Sequence, residues 1–462
     1  VPEAADRVGE RQVGADPLRL FGWIAPLLFA LYALLTPPLQ TPDEHQHLFR
    51  AWQLASFDLI GERRGNASGG EIAPGLVRAA EAELGSAEPH LPFRSAPQSG
   101  WDERLSRATP VASGEPWPFA NFLGSVSYSP AGYVPQVLGV WIGQALGLSV
   151  ENIVRLGRLL NAALAFLLLR AAMQALPVGR LLLLVVALLP MTAACAGSLG
   201  QDGLVIGASA WLVALCLKAV IGGSWSWGSG RLAMVLTVLV TLSKMIYLPL
   251  VGLGLFLRRQ SGGLRIALAP LLAGLAAAVL LGGWLALNAG LAVPMMVGMP
   301  SPGEQARFMI EHPASFPMAL ARTFDLGGLA ILLGRLFQFG WLTVGPVMPA
   351  MLAFIIGLGI ALWAGDARAG DLSRPWRLWS LAVCGGIVIL LALAMFLAAT
   401  PLGAERIEGL QGRYFIPLLL PVGLAFLRSR SQPQAGAARM VALAMVLANA
   451  ASLTAIVQAF YA

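Results

Sequence analysis

Charge is scarce in this chain of 462 residues, where only 12% are Asp, Glu, Lys or Arg. A water-soluble domain carries about twice that share. The shortage excludes a water-solvated fold and leaves lipid as the solvent. Lysine is scarcer still, with Lys218 and Lys244 alone, so the net charge of +7 is arginine charge. In a membrane protein this balance reflects arginine-bearing loops rather than nucleic-acid binding. Cysteine is limited to Cys195, Cys216 and Cys384, each inside an apolar run. That placement argues against a disulfide framework and a thiolate metal cluster. The chain also lacks a P-loop, a dinucleotide fingerprint, zinc-ligand spacing, a Gly-x-Ser-x-Gly elbow and any internal repeat.

Hydrophobic residues are plentiful, at 57% of the chain. Runs such as Leu181–Pro190, Leu271–Leu281 and Ile387–Ala399 are unbroken and do not alternate with polar residues. Backbone groups in lipid must be satisfied internally, so such runs form helices rather than barrel strands. The expected fold is an all-α polytopic membrane protein of about eleven transmembrane helices. They are expected at roughly 20–36, 155–176, 180–199, 203–221, 231–243, 245–257, 265–290, 346–364, 376–400, 413–428 and 438–460. No small-x-small cleavage site follows the first apolar run, so it reads as an uncleaved span. Residues 1–19 read as a cytoplasmic tail and 20–462 as one transmembrane domain. Two large outer loops are expected, at 37–152 and 291–345. Arg180, Arg231, Arg258, Arg259, Arg265, Arg368, Arg374, Arg377, Arg428, Arg430 and Arg439 fall in loops of one parity, which places the N-terminus inside. The stretch Ser129–Leu148 reads as a helix lying in the membrane interface rather than a span. Residues 231–257 read as two short legs turning at Lys244, and short helices are tolerated where they line a wet cavity.

The densest chemistry follows the first span, in Thr41-Pro42-Asp43-Glu44-His45-Gln46-His47-Leu48-Phe49-Arg50-Ala51-Trp52. One reading is structural: Asp43 caps a helix, with Gln46 at the capping-box position. The other is chemical. Asp43, His47 and Arg50 share a helix face by spacing, and a carboxylate at the membrane surface can act as a base toward an incoming hydroxyl. Glu44 or a histidine would then hold a metal or the second substrate. Arg155, Arg158, Lys244 and Arg413 are expected at outer helix ends. Arginine binds phosphate oxygens in bidentate fashion and lysine acts as a point charge. Their plain alternative is snorkelling to lipid headgroups. Asp202 heads a span, where it either caps the helix or supplies a second acidic site. Tyr128, Tyr133, Trp101 and Trp117 either stack on sugar faces or form an interfacial aromatic belt. His90 and His312 stand alone and carry no assignment.

These residues resemble the GT-C superfamily of membrane glycosyltransferases, to which protein O-mannosyltransferases, oligosaccharyltransferase catalytic subunits and aminoarabinose lipid A transferases belong. The chain is most similar to a bacterial GT-C-like group of largely undefined function. The resemblance rests on Pro42-Asp43-Glu44 with His47, Arg50 and Ala51, on Tyr128-Ser129-Pro130 with Tyr133, and on Arg158-Leu159 with Asn161. It continues through Leu189-Pro190-Met191, Asp202, Lys244 with Tyr247 and Pro249, Gly340-Trp341-Leu342, and Gln411-Gly412-Arg413-Tyr414-Phe415. It covers about residues 20–430, and departs from the group at Thr343, where an acidic residue is expected. The resemblance implies an inverting glycosyltransferase of the bacterial inner membrane with a periplasmic site. Its partners would be a polyprenyl-phosphate sugar donor, a glycan or lipid-linked acceptor, and membrane lipids; no nucleic acid is expected. Asp43 would be the catalytic base. Lys244, Arg413, Arg158 and Arg155 would hold the donor phosphate. Glu44, His47, Arg50, Tyr128, Tyr133, Asp202, Tyr247, Gln411 and Tyr414 would bind acceptor or sugar. No cofactor is assigned; two histidines and two carboxylates permit a divalent metal, on Asp43, Glu44 and His47, without requiring one. A lipid-linked saccharide transporter or a non-catalytic scaffold of a polysaccharide assembly complex are the rival readings.

Overall fold

The computed structural model describes residues 16–85, 101–112, 114–223, 225–255, 265–294, 299–430 and 436–462. Most of the expected cytoplasmic tail, Arg258 and Arg259, and the side chain of Trp101 lie outside the described residues.

The chain is predominantly helical. The opening helix α1 (Pro17–Leu35) starts where Asp16 accepts a hydrogen bond from Leu18 N at 3.1 Å, with Pro17 at the first helical position. Both features are favourable helix starts. A layer outside the bundle follows. It holds α2 (Glu44–Ala55), α3 (Pro74–Leu84), α4 (Trp101–Ser106) and α5 (Val134–Ala145). It also holds an antiparallel sheet of β1 (Glu62–Arg64), β2 (Ala67–Glu71) and β3 (Phe119–Asn121), with Glu62 opposite Gly69 and Gly69 opposite Asn121. The composition gave no hint of this sheet. Every residue of α2 is buried, and Leu48, Phe49 and Trp52 form the core of the layer with Phe122, Ile72 and Leu76.

The bundle continues with α6 (Val150–Ala175), α7 (Arg180–Ala187), α8 (Pro190–Ala196), α9 (Asp202–Gly222) and α10 (Trp227–Ser243). A 3₁₀ helix, Met245–Leu255, leads on to α11 (Arg265–Leu287). Next come α12 (Pro302–Glu311), α13 (Ser315–Thr323), α14 (Leu326–Arg335) and α15 (Met348–Ala364). Then α16 (Arg374–Ala399), α17 (Ile416–Phe426) and α18 (Ala437–Tyr461) close the chain. Helix α9 lies at the centre and α11 at the lipid-facing rim, with 83% and 17% of their apolar windows buried.

Length and composition support fewer crossings than the eleven expected. Among the described residues, six helices are long and apolar enough to cross a membrane: α1, α6, α9, Leu268–Leu287 of α11, α16 and α18. The pair α13 and α14, bent by 66°, makes a seventh if it is one broken span. Helices α10 and α15, the 3₁₀ helix and Gly412–Phe426 are apolar but shorter. The expected span 180–199 is two helices. Pro190 forces Leu189 into an extended backbone (φ −57°, ψ 132°), as a residue before proline must be. The freed carbonyls are met inside the protein: Thr192 Oγ1 donates to Val186 O at 2.7 Å and Asn449 Nδ2 to Leu188 O at 2.8 Å. That is how a broken helix survives at membrane depth. Helix α5 has only 12 residues, short of a crossing.

The two ends of the bundle differ. At one end Arg377 donates to Ala425 O and Leu427 O, both at 2.8 Å, closing the last turn of α17. Asp366 accepts from Gly179 N at 2.9 Å beside it. The layer built on α2 covers the other end.

Candidate functional site

The site forms where α1, α9, α10 and α17 finish or begin at the covered end. Its first fixed point is a buried ion pair. Glu44 Oε2 lies 2.5 Å from Arg158 Nη2 and Oε1 2.8 Å from Arg158 Nε, with both side chains fully buried. Arg158 also donates to the carbonyls of Ala33, Thr36 and Pro37, and Glu44 accepts from Leu199 N at 3.0 Å. Paired and fully hydrogen-bonded, the charges are tolerated; breaking one leaves the other stranded. This staple ties the end of α1 to α6 and to the turn before α9.

The staple determines what Asp43 does. Asp43 sits between Pro42 and the locked Glu44 with φ 62° and ψ 9°, in the left-handed region. That backbone costs about 1 kcal/mol in an L-residue, though Asp tolerates it better than most. The side chain makes no capping hydrogen bond. The structural reading of Asp43 as a helix cap with Gln46 is therefore corrected: Gln46 instead accepts from Gly124 N at 2.8 Å. The carboxylate of Asp43, 42% exposed, turns to Arg413, with Oδ2 3.4 Å from Nη2.

From Arg413 the charges form a chain. Its Nε lies 3.4 Å from Asp202 Oδ2 without the alignment of a hydrogen bond. The other Asp202 oxygen is ion-paired with Lys244 Nζ. Lys244 lies 4.8 Å above the Tyr414 ring and Arg413 5.6 Å from it. Tyr247 OH donates to Tyr414 O at 2.8 Å, fixing the turn that presents residues 413 and 414. Lys244 is placed by a break in secondary structure. Helix α10 stops at its extended backbone (φ −147°, ψ 99°) and eleven residues of 3₁₀ helix follow. So long a 3₁₀ run is uncommon.

Behind the chain, His47 stacks on Tyr128 at 6.0 Å, and its Nδ1 lies 2.7 Å from Tyr133 OH. Burial pushes the imidazole down to about 3, with Arg413 and Lys244 adding to the effect and Asp202 opposing it, so His47 is neutral. Burial likewise pushes His45 down to about 3. Tyr128 and Tyr133 are held above their ordinary range by burial.

The fold thus brings Asp43, Asp202, Lys244, Arg413, Tyr414, Tyr247, His47, Tyr128, Tyr133 and Gln411 to one place. It does not bring Arg158, Glu44, Arg50 or Arg155 there. Arg158 and Glu44 satisfy each other. Arg50 is spent on Tyr128 O at 2.8 Å, Leu59 O at 2.9 Å and Gln53 Oε1 at 2.5 Å. Arg155 bonds Asn152 Oδ1 at 2.8 Å on the exposed side of α6. Trp117 packs on Trp52 in the outer layer, at 5.8 Å. Asp43, Glu44 and His47 do not converge as metal ligands, and among the described residues no three His, Cys, Asp or Glu side chains do.

Two cavities meet at this chain. One is a groove of about 210 Å³ with Lys244 and Tyr414 at its head. Its walls are Met245 and Ile246, Leu281 and Leu285 of α11, and Leu391 and Met395 of α16. The other, about 40 Å³, is lined by Arg413, Gln411, Arg335, Gln338 and Thr41. Arg335 and Gln338 were missed in the sequence; the only signal was an arginine closing an apolar helix.

Fold and site define a polytopic helical membrane protein with a cluster of buried charge at one end of its bundle. A family model described as "Predicted membrane protein (DUF2142)" matches residues 27–422, and the chain belongs to that family. No curated protein and no solved structure matches it.

Proposed function

We propose that the chain is a GT-C-type inverting glycosyltransferase that takes its sugar from a polyprenyl-phosphate donor. The observation that carries this reading is the apolar groove with Lys244 at its head, linked through Asp202 to Arg413 and from Arg413 to Asp43. Such a groove suits a prenyl chain between α11 and α16, with its phosphate at Lys244. The under-satisfied Arg413 supplies further donors to an anion, and preorganised cations in a dry site stabilise developing charge strongly.

Asp43 takes the proton of an acceptor hydroxyl. The acceptor oxygen forms a bond to the anomeric carbon from the face opposite the phosphate. The bond between that carbon and the phosphate oxygen breaks, its electron pair stays on the polyprenyl phosphate, and configuration inverts. No metal is needed for this balance. Asp202 keeps Lys244 and Arg413 in register, and neutral His47 with Tyr128 backs the sugar pocket. The arginine-rich end would face the cytoplasm and the site the periplasm of a bacterial inner membrane.

The test is transfer of labelled sugar from a polyprenyl-phosphate sugar by the protein in nanodiscs. Asp43→Asn should lower turnover by about 10²–10⁴-fold, the usual contribution of a general base, while retaining donor binding. Full turnover in Asp43→Asn sinks the reading. Vectorial movement of the intact lipid without transfer would favour a transporter.

A further inference from the structure

Arg413 and Tyr414 are neighbours in sequence but serve different cavities. Tyr414 lines the Lys244 groove, and Arg413 lines the narrower cleft with Thr41, Gln338 and Gln411. The Asp202 carboxylate is the partition, with Lys244 on one oxygen and Arg413 on the other. The cleft does not end there. Arg335, Gln338 and Leu342 line it and also line a wider trough of about 590 Å³, whose other walls are Ala330, Ile331, Gly334 and Pro346.

Thr36, Thr41, Ser198, Gln338 and Gln411 place hydroxyl and amide groups within the otherwise largely apolar lining of the inner cleft. Such groups both donate and accept, matching the two-way hydrogen bonding of sugar hydroxyls. No carboxylate is among the residues lining cleft or trough. The outer end runs along α14, an apolar helix with Ile331 exposed by 55%, in the pair bent by 66°. A trough with an apolar wall at a lipid-facing helix accommodates a hydrocarbon chain.

We infer that this passage holds the second substrate, and that this substrate is a hydroxyl-rich headgroup on its own lipid anchor, entering beside α14. The inference rests on the donor reading of the Lys244 groove. Two membrane-borne substrates would then approach from opposite sides of the Asp202 partition and meet near Asp43.

The probe is a neutral glycosyl diacylglycerol with a diazirine in its acyl chain, offered to the full chain in nanodiscs. The expected result is cross-linking within residues 330–346, unchanged by excess polyprenyl phosphate. Gln338→Leu, a substitution of similar size, should lower that yield at least fivefold, and so should Gly334→Trp. Competition by polyprenyl phosphate would show one shared groove and overturn the inference. An unaltered yield in Gln338→Leu would overturn it too. A separate arm uses diazirine-bearing polyprenyl phosphate, expected to label residues 241–246 and 391–395. If that arm alone fails, the donor reading falls while entry of the glycolipid beside α14 stands.

Discussion

At the scale of single residues, a few side chains hold the site and others work in it. The Glu44–Arg158 pair belongs to the first kind. Both side chains are wholly buried, and removing one partner of such a pair costs about 3–5 kcal/mol. Arg158→Ala should therefore lower unfolding stability by that amount, measured by denaturant unfolding in detergent micelles. Arg155→Ala should change it by less than about 1 kcal/mol. The buried histidines make a pH prediction. Both imidazoles are pushed down to about 3 from an ordinary 6.5. Between those values the unfolded chain takes protons that the folded chain refuses. Stability should be full above pH 6.5 and fall as pH drops toward 3, by about 1.4 kcal/mol per pH unit for each histidine. His45→Phe should halve the slope that the pair contributes, read from unfolding at pH 7 and pH 5.

At the scale of elements, breaks matter more than helices. The stop at Lys244 was readable because two short apolar legs flank one of the two lysines. The break before Pro190 was not read, because the apolar run hides it and only Thr192 and Asn449 make it tolerable. The close crossing of α5 and α6 was also invisible. Gly139 lies against the backbone of Gly157, where a Cβ would stand 2.7 Å from the Gly157 Cα. No flexible side chain there can give way. Gly139→Ala should cost about 1–3 kcal/mol, the usual penalty for overpacking, and should tilt α5 off α6. Unfolding stability checks the first effect; mobility of a spin label at Leu146 checks the second. Helix α5 is tied to α2 as well, with Trp141 Nε1 donating to Ala55 O at 2.8 Å.

At the scale of the whole molecule, charge is distributed by end. At the covered end arginines are matched by carboxylates, as in Arg64 with Glu62, Arg78 with Glu115 and Arg406 with Asp325. At the opposite end the arginines of α7, α16 and the 428–430 segment outnumber Asp366 and Asp371. This is the asymmetry that orients a membrane protein. In cells, a cysteine placed at Glu103 should react with an impermeant maleimide from outside, and one at Arg368 only after lysis. Cys195, Cys216 and Cys384 are buried and give a low background. Labelling of the Arg368 position in intact cells would invert the topology and move the site to the cytosol.

Composition and periodicity by themselves determined the solvent, the helical class and the places where most helices run, because in lipid a helix is the local solution for a backbone. They also singled out Asp43, Lys244 and Arg413, because charge is so rare here that each charged residue in an apolar setting stands out. Which charges work together was decided only by the tertiary structure. Glu44 and Arg158 look as chemical as Asp43 in the sequence. They cancel because the start of α2 meets α6 there, while Asp202 reaches Lys244 and Arg413 across 42 and 211 positions of chain. Pairing of buried charge is a long-range choice, made by packing that no local pattern encodes.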